Sequence, residues 1–145
     1  MKQENTPAKS KSKSQPDDLD LRFYEATAAA GMLCIQRCDD CGEWTHPARY
    51  YCPRCASGKF SFVPVSGRAT VHSYTISHFS VEPAWKDLVP YVTIVAELAE
   101  GPRVIARTSD ISAQDVKIGM PIALSVEVIG PEFSYVWANA AETGQ

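Results

Sequence analysis

The chain has 145 residues, five of them cysteine, and a formal net charge of −3. With 45% hydrophobic and 10% aromatic residues, it has the material for a packed core, which excludes wholesale disorder. An acidic balance counts against a protein that grips a phosphate backbone, because that role needs a basic footprint.

Residues 1–18 hold Lys, Ser, Gln, Pro and Asp without apolar periodicity and read as a disordered, solubilising arm. Residues 19–35 read as a helix. Asp17 or Asp18 can cap it, apolar side chains recur at Phe23, Ala26, Ala30 and Leu33, and Gly31 weakens its last turn. No apolar run approaches the roughly 20 residues that span a bilayer. The N-terminus lacks the apolar core of a secretory signal. These features read as a cytoplasmic protein, where thiols stay reduced and more often bind metal than form disulfides.

Residues 36–62 form the cysteine segment. Cys38-Asp39-Asp40-Cys41 and Cys52-Pro53-Arg54-Cys55 are two C-x-x-C knuckles ten residues apart. Each knuckle is a tight turn with both sulfurs on one side, so the pair can present four thiolates to one tetrahedral ion. A segment this short has little core of its own, and a metal substitutes for packing. Four soft ligands suit Zn²⁺ and leave no open position, so the ion is expected to be structural. Thiolates alone do not separate zinc from iron. His46, between the knuckles, reads as a surface residue or one lying behind the ligands. Cys34, between Leu33 and Ile35, reads as a buried structural thiol.

Residues 63–140 read as β-structure, with 141–145 a tail. Ser66-Gly67 is a turn. Along Ala69–Phe79, Val71, Ser73, Thr75 and Ser77 alternate with His72, Tyr74, Ile76 and His78, so one face can be buried and the two histidines share a face. Residues 81–88 read as a loop, Tyr91–Glu97 and Arg103–Arg107 as a hairpin about Glu100-Gly101-Pro102, and Ser109–Val116 as a short helical connection capped by Ser112. Ile122–Ile129 and Phe133–Ala138 complete five strands. The expected fold is therefore mainly β: an N-terminal helix and a Cys₄ zinc ribbon followed by a five-stranded OB-fold barrel. Catalytic motifs such as G-x-S-x-G, the P-loop and H-E-x-x-H do not occur. Trp44, Trp85 and Trp137 read as core or loop aromatics, with interface anchoring the competing role.

The motifs F-Y-E, L-C-I-Q-R-C-D-D-C-G, P-A-R-Y-Y-C-P-R-C, S-G-R-A-T-V-H-S-Y-T, P-Y-V-T-I-V-A-E-L and V-K-I-G-M-P-I occur in this order between Leu19 and Ala138. The set resembles the family that joins a rubredoxin-like zinc ribbon to an acyl-CoA-associated OB-fold, long labelled a domain of unknown function. The resemblance implies zinc at Cys38, Cys41, Cys52 and Cys55. It also implies a non-catalytic accessory subunit that binds or positions acyl-CoA. The expected partner is a thiolase-like, aldolase-like or MaoC-type enoyl-CoA hydratase enzyme of lipid, steroid or polyketide metabolism. Coenzyme A needs cations and an apolar shelf, for which Arg68, Arg103, Arg107, Tyr74 and Phe79 are the candidates on or beside the strands, with Tyr91 a further shelf. The alternative is a single-stranded nucleic-acid binder, a role in which OB-folds recur and which the acidic charge disfavours.

Overall fold

A computed structural model describes residues 18–141. Residues 1–17 of the arm read over 1–18, and residues 142–145 of the tail read over 141–145, lie outside the described residues, and Asp18 is already helical. Helix α1 spans Asp18–Ala30. It ends earlier than the sequence reading because Gly31 takes φ +65 and its N–H caps the Thr27 carbonyl at 2.9 Å. Cys34 is consequently the first residue of a strand. The buried stripe of the helix is Leu19 and Thr27, with Phe23 packed on the core. Thr27 sits there because its Oγ1 accepts the Cys34 N–H at 3.3 Å, tying the helix to the strand that follows.

That strand, β1 (Cys34–Cys38), is the centre of a three-stranded antiparallel sheet, flanked by β2 (Trp44–Thr45) and β3 (Phe60–Pro64). The ribbon is therefore more of a sheet than the two knuckles imply. It shares a core with the rest of the molecule: Leu33 and Ile35 cluster with Val65, Val92, Ile94 and Ile122.

The remaining strands are β4 (Arg68–Ser77), β5 (Tyr91–Leu98), β6 (Arg103–Arg107), β7 (Pro121–Gly130) and β8 (Phe133–Ala140). They close into a barrel in the order β4-β5-β6-β8-β7, the expected five-stranded OB-fold. Val92, Ile94, Ala96 and Leu98 alternate inward along β5, and Val104 and Ala106 do so along β6. Closure rests on the antiparallel β4–β7 seam and on one parallel β6–β8 pair, Arg107 opposite Trp137.

Three local readings are corrected. A bulge lies between Val71 and Ser73, so the alternation along β4 is broken. Val71 is in the core, and past the extra residue Tyr74 and Ile76 also pack on it. His72 lies in the bulge and His78 beyond the strand end, so the strand does not hold them on a common face. Residues 109–116 form turns and no helix. Ser112 still caps them, accepting the Asp115 N–H on its Oγ at 3.2 Å, while Ile111 and Val116 plug the barrel. Gly119, at φ +89, ends the segment too soon for a helix to propagate. Finally, the 81–88 loop contains a single helical turn, α2 (Pro83–Lys86), which carries Trp85.

Candidate functional site

The two knuckles are built alike. In the first, the Gly42 N–H donates to the Cys38 carbonyl at 3.0 Å and the Cys38 N–H to the Glu43 carbonyl at 2.9 Å. In the second, Ala56 donates to Cys52 and Cys52 to Ser57, both at 2.8 Å. The equivalent fifth residues, Gly42 and Ala56, both have positive φ, +79 and +66. Glycine meets that demand without strain; the alanine is held there by its surroundings.

All four sulfurs lie within 4.8 Å of one another, with Cys38–Cys55 and Cys41–Cys52 at 3.6 Å. These separations exclude a disulfide, whose sulfurs are about 2.05 Å apart. They match the edge of a tetrahedron around an ion with metal–sulfur bonds of about 2.3 Å, roughly 3.8 Å. Backbone N–H groups point at the sulfurs: Cys41 to Cys38 at 3.5 Å, and Arg54 and Cys55 to Cys52 at 3.3 and 3.5 Å. Such donors stabilise thiolate charge. The Cys41 N–H is the main reason the Cys38 thiol is lowered to about 7, and the Cys55 N–H lowers Cys52. Against the lowering pull of the Glu43 and Ser57 N–H groups, burial and the neighbouring sulfurs raise Cys41 and push Cys55 up to about 12. The donor set therefore fits a structural metal ion held by Cys38, Cys41, Cys52 and Cys55.

Neighbouring contacts brace this site. Arg54 and Glu43 join the knuckles by an exposed ion pair at 3.3 Å, and the Ser57 hydroxyl donates to Asp40. Gln36, 4% exposed, clips the long inter-knuckle loop: its Nε2 donates to the Arg49 carbonyl at 2.6 Å and its Oε1 accepts the Arg49 N–H at 2.8 Å. His46 takes no part in the sulfur cluster. It packs on Phe23 with ring centroids 5.3 Å apart, and burial lowers its pKa against an opposing pull from Asp20. Cys34 is 1% exposed, and burial raises its pKa, which leaves it an inert packing thiol.

The loop that Gln36 fixes forms one wall of a cavity of about 690 Å³ between α1, the ribbon and strands β5, β6 and β8. Phe23, Leu33, His46, Pro47 and Ala48 line one side, and Tyr91, Arg103, Arg107, Phe133, Ser134 and Tyr135 the other. Arg107 is its central cation. Its guanidinium lies 3.4 Å from the Trp85 ring centroid and 5.1 Å from those of Tyr135 and Trp137, a cation–π arrangement. The Trp137 indole N–H donates to Glu127 at 2.7 Å. Of the sequence candidates, Arg103, Arg107 and Tyr91 line this cavity. Arg103 is also paired with Glu97 at 3.2 Å. Arg68 lies at the β4–β7 seam, Tyr74 packs on the core, and Phe79 is 76% exposed, none of them at the cavity. The sequence reading did not single out Ser134 or Tyr135, nor assign Trp85 a ligand role. Only the alternation Phe133, Tyr135, Trp137 along β8 hinted at an aromatic face.

Comparison with known proteins adds a second line to this geometry. Residues 28–61 match the ChsH2 rubredoxin-like zinc ribbon domain, and residues 62–127 match the ChsH2 C-terminal OB-fold domain. The chain is 34% identical over 107 residues to a DUF35 domain-containing scaffold protein of Methanocaldococcus jannaschii, covering 73% of this chain and 75% of that one. The chain belongs to the DUF35 family. A solved DUF35 structure titled Ltp2-ChsH2(DUF35) aldolase superposes with a TM-score of 0.73 at 32% identity, covering 83% of this chain and 93% of that one. A probable enoyl-CoA hydratase alpha subunit of Thermomonospora curvata is 34% identical over 115 residues, 79% of this chain. The chain spans 35% of the length of that hydratase subunit and 64% of that of the DUF35 scaffold protein of Methanothermobacter thermautotrophicus. Among the described residues no helix is long and apolar enough to cross a membrane.

Proposed function

We propose that this DUF35 protein is a non-catalytic accessory subunit, holding structural Zn²⁺, that scaffolds an aldolase-like, thiolase-like or enoyl-CoA hydratase-like partner and helps position its acyl-CoA. The observation that carries this reading is the superposition on the DUF35 chain of an aldolase at 32% identity. The names of the relatives, scaffold protein and hydratase alpha subunit, support it. Zinc is the ion of choice because four thiolates form a closed tetrahedral set and a d¹⁰ ion accepts it without redox chemistry. The metal supplies folding free energy: it locks two turns that otherwise have little core to hold them. The chain's residues then do the positioning. The Gln36 clip and the shared Leu33–Ile35 core fix the ribbon against the barrel.

The test is affinity capture from the native host with mass-spectrometric identification. A stoichiometric acyl-CoA enzyme of one of these three classes is the expected result. Capture of nucleic-acid-processing proteins alone, or of none, would overturn it. That second reading draws on the aromatic run Phe133, Tyr135 and Trp137 beside Arg107, which resembles a base-stacking face. The net charge of −3 opposes it.

A further inference from the structure

The cavity beside the ribbon contains groups that the accessory role leaves unused. Arg107 stands against Trp85 and Tyr135, and among the described residues no carboxylate pairs with it. The Glu127 carboxylate, which acts on it at longer range, accepts the Trp137 N–H. Ser134 borders the same cavity, but its side chain faces the barrel interior with Ala138, on the side of β8 opposite Tyr135 and Trp137, and its Oγ is enclosed. Around Arg107 the lining is mostly apolar, including Phe23, Leu33, Phe133 and Val136. The volume, about 690 Å³, falls in the range of small-molecule sites.

We propose that this cavity binds a monoanionic organic acid, its carboxylate held by Arg107, its apolar body packed against Phe23 and Leu33. The charge balance selects this class. Arg103 is already paired with Glu97, so Arg107 offers one positive charge to one negative charge, and Asp20 on the α1 wall disfavours any further negative charge. The nucleotide end of coenzyme A carries several phosphate charges and finds too few cations here. The inference goes beyond the accessory-subunit reading and stands whether or not a partner enzyme is captured.

Tryptophan fluorescence reports on the site through Trp85, and calorimetry gives the affinity. The probes are decanoate and cyclohexanebutyrate, with decanol as the neutral counterpart, 3′,5′-ADP for the nucleotide end and an oligothymidylate for nucleic acid. At least one carboxylate is expected to bind the 145-residue chain below millimolar concentration, and decanol roughly tenfold or more weakly than decanoate. Arg107→Gln should weaken the carboxylate by about tenfold or more. Three results would overturn the proposal: no binding of either carboxylate, equal binding of decanol, or affinity unchanged in Arg107→Gln. Preferential binding of 3′,5′-ADP or the oligothymidylate would also overturn it. None of these results depends on partner capture, so failure here is distinct from failure of the accessory role.

Discussion

Ala56 shows how much the metal site asks of single residues. It occupies the position that Gly42 fills in the other knuckle, at φ +66. Left-handed geometry costs a non-glycine residue roughly 1–2 kcal/mol, whereas replacement by glycine loses about 0.4–1 kcal/mol through the freer unfolded chain. Ala56→Gly should therefore stabilise the protein by about 0.5 kcal/mol, measurable by denaturant unfolding. A destabilised variant would mean that the knuckle does not carry the strain. His46 gives a second prediction. Burial holds its folded pKa below the ordinary 6.5, so the unfolded chain binds the proton more readily. Its contribution to stability is complete above pH 6.5 and is lost as the pH falls from there toward the folded value. His46→Phe should flatten that part of the profile between pH 7.5 and 5.5, and an unchanged slope would contradict the assignment. The cysteines were legible in the sequence because each knuckle is local in sequence. The Arg107 cluster was not, because residues 85, 91, 107, 135 and 137 meet only after the barrel closes. Thr27 and Ser134 escaped notice because polar residues on a helix or strand read as solvent-facing.

At the scale of elements, β5 and β6 were readable as strands because each keeps period two, Val92, Ile94, Ala96 and Leu98 facing inward on one and Val104 and Ala106 on the other. β4 was misread because a bulged residue leaves the sequence pattern apparently unbroken while the backbone changes face. The seam beside it depends on Gly67. At φ +84 its carbonyl accepts the Leu124 N–H at 2.7 Å, and an added Cβ would meet the Leu124 carbonyl oxygen at 2.8 Å. Gly67→Ala should cost roughly 2 kcal/mol or more through strain and a lost seam contact. Thermal unfolding would read this directly; a melting temperature equal to that of the unaltered chain would show that the seam relaxes. Helix α1 was read a turn too long, since Gly31 was taken as a weak position and not as the terminator that its positive φ makes it.

At the scale of the whole molecule, helix, ribbon and barrel share one core through Leu33, Ile35 and Val65, so loss of the metal should be felt beyond the knuckles. Cys38→Ser or Cys55→Ser should lose the metal, release the ribbon and lower stability, as metal-binding free energy is folding free energy in such modules. Metal content by elemental analysis, beside the unfolding curve, checks this. A variant with one metal per chain and unaltered stability would contradict it. The modular order of the chain was visible in its motifs, whereas the cavity between the modules was not, because no sequence spacing encodes how a ribbon sits on a barrel.

We propose that the chain serves an enzyme without being one. The most direct measurement is acyl-CoA turnover by the captured partner, alone, with this chain, and by this chain alone. The expected result is no turnover by the chain alone and a partner that is less active or less stable without it. Turnover by the isolated chain, or a partner indifferent to its presence, would contradict it.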